Sequence, residues 1–131
     1  MIISKTPYRI SFFGGGSDYP NWYNNYSGSV LSTTIDKHIY ITCRHLPNFF
    51  NHKFRIIWSK LESVKKINQI KHNAVRNLLK ELNIKKGLEI HYDGDLPARS
   101  GMGSSSCFVV GLSNVLFNFL NIKKNKKQLY K

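Results

Sequence analysis

Apolar and polar positions alternate along Thr6-Pro7-Tyr8-Arg9-Ile10-Ser11-Phe12-Phe13, which reads as a strand that breaks at Gly14, Gly15 and Gly16. Two further strands are predicted over Ser29 to Ile35 and His38 to Cys43, joined tightly at Asp36-Lys37, and another over Phe54 to Trp58. Between Asn68 and Asn83 the period changes. Ile70, Ala74, Val75, Leu78, Leu79 and Leu82 recur at helical spacing while Lys71, Arg76, Lys80 and Glu81 face outward, the pattern of an amphipathic helix. After Gly87 the alternating run Leu88 to Tyr92 is a strand, and Cys107 to Leu120 is apolar nearly all round, as in a buried helix whose first turn Ser104, Ser105 and Ser106 would cap. Strands first, then helix, strand and helix without βαβ repetition, predict an α+β fold: a two-layer sandwich of a mixed or antiparallel sheet with helices.

The 131 residues suit one domain over 1–131, with no repeat or interior linker. Met1 to Lys5 is too short for a signal segment and no apolar run reaches spanning length, so no membrane partner is expected. Cys43 and Cys107 make neither a metal spacing nor a disulfide framework, and His38, His45, His52, His72 and His91 show no i, i+4 pair. A reduced, cytoplasmic protein is the simplest reading. Ser63 and Lys66 fit S-x-x-K but lack its companion motifs.

Charge complicates the picture, since 20 Lys and Arg against 7 acidic residues give +13, an excess that attracts phosphates. The lysines are dispersed over Lys60, Lys65, Lys66, Lys71, Lys80, Lys85 and Lys86, with one dense cluster at Lys123, Lys124, Lys126 and Lys127. Aromatic residues cluster in the first strand instead of alternating with them. That distribution and the lack of an RNA-binding signature argue against nucleic acid as the partner, leaving an RNA-binding module as a rival reading.

The richest chemistry lies in Asp95 to Ser106. Gly101 and Gly103 let the backbone turn so that several N–H groups converge, and the following helix N-terminus adds orphan N–H groups and partial positive charge, which suits phosphate. Neither G-x-G-x-x-G nor G-x-x-x-x-G-K-[ST] is present.

Pro97-Ala98-Arg99-Ser100-Gly101-Met102-Gly103-Ser104-Ser105-Ser106 resembles the P-x-x-x-G-[LM]-G-S-S motif of the GHMP kinases. Arg9-Ile10-Ser11-Phe12-Phe13-Gly14-Gly15-Gly16-Ser17-Asp18 is similar to that family's N-terminal motif in the form found in heptose 7-phosphate kinases and bacterial fucokinases. The common variant ending in Gly-Glu-His is absent, since Gly15 and Gly16 stand at those positions.

The resemblance implies an ATP site over Pro97, Arg99, Ser100, Gly101, Met102, Gly103, Ser104, Ser105 and Ser106, with N–H groups of Gly101, Gly103 and Ser104 on the triphosphate and the Ser105 hydroxyl on Mg²⁺. It implies a sugar or sugar-phosphate site over Gly14, Gly15, Gly16, Ser17 and Asp18, with Arg9 supporting phosphoryl transfer. It further implies a two-layer, ribosomal-protein-like N-terminal domain that ends before the family's catalytic aspartate and C-terminal domain, so that the chain alone is expected to be inactive. The expected activity is transfer of the γ-phosphoryl of ATP to a hydroxyl such as that of D-glycero-D-manno-heptose 7-phosphate. The alternatives are an L-fucose kinase-like enzyme and a non-catalytic nucleotide binder. Exposed apolar surface is expected to promote homo-oligomers.

Overall fold

The computed structural model of the chain describes residues 1–97 and 100–122. Its elements are β1 (Ile2–Phe13), α1 (Pro20–Tyr23), β2 (Leu31–His45), β3 (Phe54–Ile57), β4 (Leu61–Val64), a 3₁₀ turn (Ile67–Gln69), α2 (Asn73–Glu81), β5 (Leu88–Gly94) and α3 (Ser104–Phe119). The strands form one sheet in the order β1-β2-β5-β3-β4, antiparallel throughout except for the parallel pair β3–β5. An α+β sandwich results: α2 and α3 cover one face of a mixed sheet. Tyr8, Ile39, Ile41, Cys43, Ile56, Leu88 and Ile90 bury against Val75 and Leu79 of α2 and Leu112, Val115 and Leu116 of α3. Apolar area removed from water at this interface is the main cohesive term.

Three local expectations are corrected. The expected strands at 29–35 and 38–43 are not two strands joined at Asp36-Lys37; residues 31–45 form one 15-residue strand, which leaves Ser29 and Val30 outside it. Pro7 pairs with His38 and Arg9 with Thr34, so Ile35, Asp36 and Lys37 face Tyr8 alone across a bulge. A polar dipeptide without glycine reads as a turn only until both flanking segments find the same partner, β1.

The helix expected from Asn68 to Asn83 is interrupted, with Ile70 extended at ψ 124° and α2 starting only at Asn73. The cause is Glu62 of β4. Its buried carboxylate accepts the main-chain N–H groups of Lys71 and His72, the latter at 3.2 Å, and the indole N–H of Trp58 at 3.0 Å. Those two N–H groups are thereby withheld from helical carbonyls.

In α3 the helix begins at Ser104, and its N-cap is Gly103 in the left-handed region, with no side-chain cap. The serines fill the first turn instead. Nor is α3 buried all round, because Val109 is 45% exposed. No helix among the described residues is long and apolar enough to cross a membrane. The expected helix from Asn125 onward and the Lys123–Lys127 cluster lie outside the described residues.

On the sheet face away from the helices, Arg44, Glu89 and Arg55 stand side by side across β2, β5 and β3. Glu89 accepts from Arg44 at 3.0 and 3.2 Å and from Arg55 at 2.9 Å. The Arg44 hydrogen bonds, with the Arg55 charge, hold its carboxyl below the usual range. A depressed carboxylate contributes stability above its unfolded value, near about 4.3, and loses it as pH falls through the native value. Glu89→Gln is therefore expected to cost about 1–2 kcal/mol in urea unfolding at neutral pH and less in acid, once the native carboxyl protonates. An equal cost at both would mean that the charge is not involved.

Candidate functional site

The glycine–serine loop is held at both ends before any ligand arrives. At its start, Asp95 accepts the His38 main-chain N–H at 2.7 Å and returns its own N–H to the His38 carbonyl at 3.0 Å. The fully buried Tyr8 hydroxyl donates to the Leu96 carbonyl at 3.1 Å, and burial raises its pKa above the ordinary phenol value. At the loop's end, the Arg9 main-chain N–H donates to the Met102 carbonyl at 3.2 Å. Tyr8 and Arg9 of β1 and His38 of β2 thus fix a loop that carries little regular structure.

Gly101 and Gly103 both take positive φ, 75° and 72°. At Gly103 the approach is also close: a Cβ there would lie 3.1 Å from Arg9 Cγ and 3.2 Å from Arg9 Nε. The Arg9 side chain therefore lies over Gly103, and its Nη1 donates to Ser11 Oγ at 2.9 Å. A guanidinium beside uncapped N–H groups at a helix start is an environment for anionic oxygens. Ser106 Oγ donates to the Gly103 carbonyl at 2.9 Å, while Ser105 is exposed. The Ser100 hydroxyl is buried without a hydrogen-bond partner among the described residues, an arrangement that costs about 1–3 kcal/mol unless a ligand satisfies it. Of the residues expected in this loop, Arg99 lies outside those described.

Beside the helix start opens a cleft of about 290 Å³ lined by Trp58, His72, Tyr92, Phe108, Ser104 and Ser105 among others. Its wall is aromatic and ordered by contact. Trp58 meets His72 edge-on at 4.9 Å, His72 meets Phe108 at 4.8 Å, and Phe108 meets Tyr92 at 5.5 Å. Glu62 orients both Trp58 and the His72 main chain. Burial lowers the His72 pKa, with the Glu62 charge opposing, which favours the neutral ring whose Nδ1 accepts the Val75 N–H at 3.5 Å. These four rings come from residues 58, 72, 92 and 108, on four segments. No spacing in the sequence could have grouped them.

The N-terminal glycines make a second, separate turn at the far end of β1. Gly14 has φ 78°, and a Cβ on it would lie 1.8 Å from the Ser29 carbonyl oxygen, so only glycine fits. Ser17 Oγ donates to the Gly14 carbonyl at 2.7 Å and the Ser29 carbonyl at 3.3 Å. One carboxylate oxygen of the exposed Asp18 accepts the Gly16 N–H at 3.0 Å. The strand joins the two glycine turns: Arg9 meets the serine loop, and Gly14, Gly15, Gly16, Ser17 and Asp18 follow the strand's end, about 16 Å on at the usual rise per residue. Among the described residues no group of three His, Cys, Asp or Glu side chains could hold a metal ion. Cys43 and Cys107 are both free and buried; burial pushes the Cys43 thiol up to about 12.

Comparison with known proteins extends the picture. Residues 67–131 match the family described as "GHMP kinases N terminal domain". The chain is 26% identical, over 99% of its length, to the D-glycero-alpha-D-manno-heptose 7-phosphate kinase of Campylobacter jejuni, of which it covers 41%. In fold it is similar to a D-glycero-D-manno-heptose 1-phosphate kinase from Bacteroides thetaiotaomicron, with a TM-score of 0.82 at 23% identity over 98% of this chain and 45% of that one. It is also similar to the mevalonate kinase of Methanococcus jannaschii, with a TM-score of 0.71 at 21% identity over 98% of this chain and 43% of that one. This chain thus spans less than half the length of each. The matched segment takes in His72, Tyr92, Phe108 and the whole glycine–serine loop, and it carries the likeness of this chain to the N-terminal domain of the GHMP kinases.

Proposed function

We propose that residues 1–131 form the nucleotide-binding domain of a sugar kinase that transfers the γ-phosphoryl of ATP to a hydroxyl of a sugar phosphate of the D-glycero-D-manno-heptose 7-phosphate type. The observation that carries this reading is the junction of three features at the start of α3: uncapped N–H groups, the Arg9 guanidinium and the aromatic cleft. A nucleoside triphosphate complements them, with an anionic chain for the N–H groups and the guanidinium and a flat base for the aromatic cleft.

In this arrangement Gly101, Gly103 and Ser104 donate N–H groups to the phosphates, and Trp58 and Phe108 flank the base. Ser105 is free to ligate Mg²⁺. Arg9 neutralises charge on the transferred group, and Asp18 accepts from two neighbouring sugar hydroxyls. Phosphoryl transfer asks a protein mainly to position and neutralise. Because the chain covers 41% of its Campylobacter relative, binding is assigned to this chain and turnover to a protein of the relative's length.

Calorimetric titration of the chain with a non-hydrolysable Mg·ATP analogue tests this. Trp58→Ala is expected to weaken binding about tenfold, the worth of one aromatic–base stack. Ser105→Ala is expected to weaken it only when Mg²⁺ is present. Asp18→Ala is expected to spare the nucleotide and abolish binding of the heptose phosphate. Unchanged nucleotide affinity in both the Trp58 and Ser105 variants, with thermal unfolding intact, would remove the reading.

A further inference from the structure

Dispersed in sequence, several lysines converge in space at the end of the sheet away from the glycine–serine loop. Lys53, Lys65, Lys66, Lys80 and Lys85 line one open cleft of about 560 Å³, beside the last turn of α2. Lys53 and Lys85 also line a second cleft of about 580 Å³, which adds Lys86 and His45. The two clefts adjoin at Lys53 and Lys85, and their walls together make a groove region carrying six lysines. All six lysines are exposed, no aspartate or glutamate lines either cleft, and none of them is in an ion pair among the described residues. Glu81, next to Lys80 at the end of α2, is exposed and lines neither cleft, and other nearby acids point elsewhere. Glu62 is buried on the Trp58 side, and Glu89 is held by two arginines.

The groove is remote from the nucleotide site, because it begins at Gly87 while the serine loop begins at Asp95. All of β5 lies between, about 20 Å at the usual rise per residue. Its backbone is tied down on three sides: Lys53 N–H donates to the Val64 carbonyl at 3.0 Å, Leu88 N–H to the Lys53 carbonyl at 3.1 Å and Leu46 N–H to the Gly87 carbonyl at 3.0 Å. Like charges gathered on a fixed frame repel one another, and a polyanion relieves that repulsion.

Next to Asn48 of the second cleft stands Phe49, 78% exposed. Its ring is braced by Phe50 at 4.4 Å, and Phe50 lies under the Arg55 guanidinium at 4.3 Å. An open aromatic face that follows a cleft residue directly in the chain is a platform for an unpaired base. Length favours a chain of phosphates over a single anion, and the open ring favours a single strand over a duplex, whose bases are stacked away.

We infer that this lysine groove binds single-stranded nucleic acid, with Lys53 and Lys85 at its centre on the phosphates and Phe49 stacked on a base, independently of the kinase site. The lysines' separation along the sequence conceals this.

Fluorescence anisotropy with labelled oligouridine and oligothymidine of about 15 nucleotides, at several salt concentrations from about 50 to 200 mM, tests the inference and tells RNA from DNA. Lys53→Gln/Lys85→Gln is expected to lower affinity at least about tenfold and to flatten the dependence of log K on log salt by about 1.4, two phosphate contacts at about 0.7 each. Phe49→Ala is expected to weaken binding with the slope unchanged. Saturation with the Mg·ATP analogue is expected to leave oligonucleotide affinity as it was, so failure of the kinase reading and failure of this one are separable. Lys65→Gln/Lys80→Gln reads the same groove should the first pair disturb folding. Neutralising Lys123, Lys124, Lys126 and Lys127 together is expected to preserve the dependence on Lys53 and Lys85. Absence of binding at the lowest salt, an unaltered slope in both groove variants, or binding of anionic vesicles or inorganic polyphosphate without binding of either oligonucleotide would overturn it.

Discussion

Gly103→Val is expected to reduce affinity for the Mg·ATP analogue by at least about 100-fold, through two separate effects that act on the same atoms. The position has φ 72°, ψ 27°, where a side chain, and a β-branched one above all, is strained by about 1–2 kcal/mol or more. It also touches Arg9: a Cβ would press Cγ at 3.1 Å and Nε at 3.2 Å, with Ser106 Oγ at 3.4 Å. Relief by rotating Gly103 misdirects the first N–H groups of α3, and relief by moving Arg9 removes the guanidinium from the loop. Either route empties the anion site of a donor. Gly101→Ala is the control, because a Cβ there meets nothing within 4 Å, leaving only the strain of φ 75°. Its affinity is expected to fall only about tenfold. Equal losses at 101 and 103 would show that Arg9 plays no part.

Gly111→Val is expected to have the largest effect on stability, about 3 kcal/mol or more in chemical denaturation, out of the 5–15 kcal/mol typical of a whole domain. Gly111 sits buried in the middle of α3 where the helix crosses β1 and β2. Even a Cβ there would lie 2.8 Å from Thr6 Oγ1, 3.2 Å from Ile41 Cδ1 and 3.4 Å from Ser4 Oγ. Valine adds two methyl groups beyond that Cβ, in a space bounded by strand residues whose own backbone is held in register by the β1–β2 ladder. The helix must lift, and Leu112, Val115 and Leu116, each at most 1% exposed, lift with it. Gly111→Ala is expected to cost about 1–2 kcal/mol, since Thr6 can rotate its hydroxyl away. A valine variant that unfolds with the parent would mean that α3 is not seated as described.

Legibility followed the range of the interaction responsible. Leu88 to Tyr92 shows its strand in its own alternation, and Cys107 to Phe119 its helix in its own apolar content, because burial of one face or one segment is encoded within a few residues. The same local reading failed at Asp36-Lys37, where β1 supplied a common partner to both flanks, and at Ile70 to His72, where the deciding carboxylate belongs to Glu62 on another strand. The glycine–serine loop was legible for a different reason. Gly101 and Gly103 are the residues a positive φ favours, and a loop that needs two such turns before a helix carries them openly.

By itself, then, the sequence determined the sandwich class, the position of the glycine–serine loop and its likeness to the GHMP kinases, since each rests on contiguous residues whose conformational preferences are intrinsic. Tertiary structure alone decided which groups share a site. It laid Arg9 over Gly103, although 94 positions separate their numbers, by running β1 past the start of α3. It drew Trp58, His72, Tyr92 and Phe108 into one cleft and Lys53, Lys66, Lys80 and Lys85 into one groove. Convergence of side chains from different strands and helices follows from how apolar faces pack together, and that packing is a property of the whole chain, which no short segment carries.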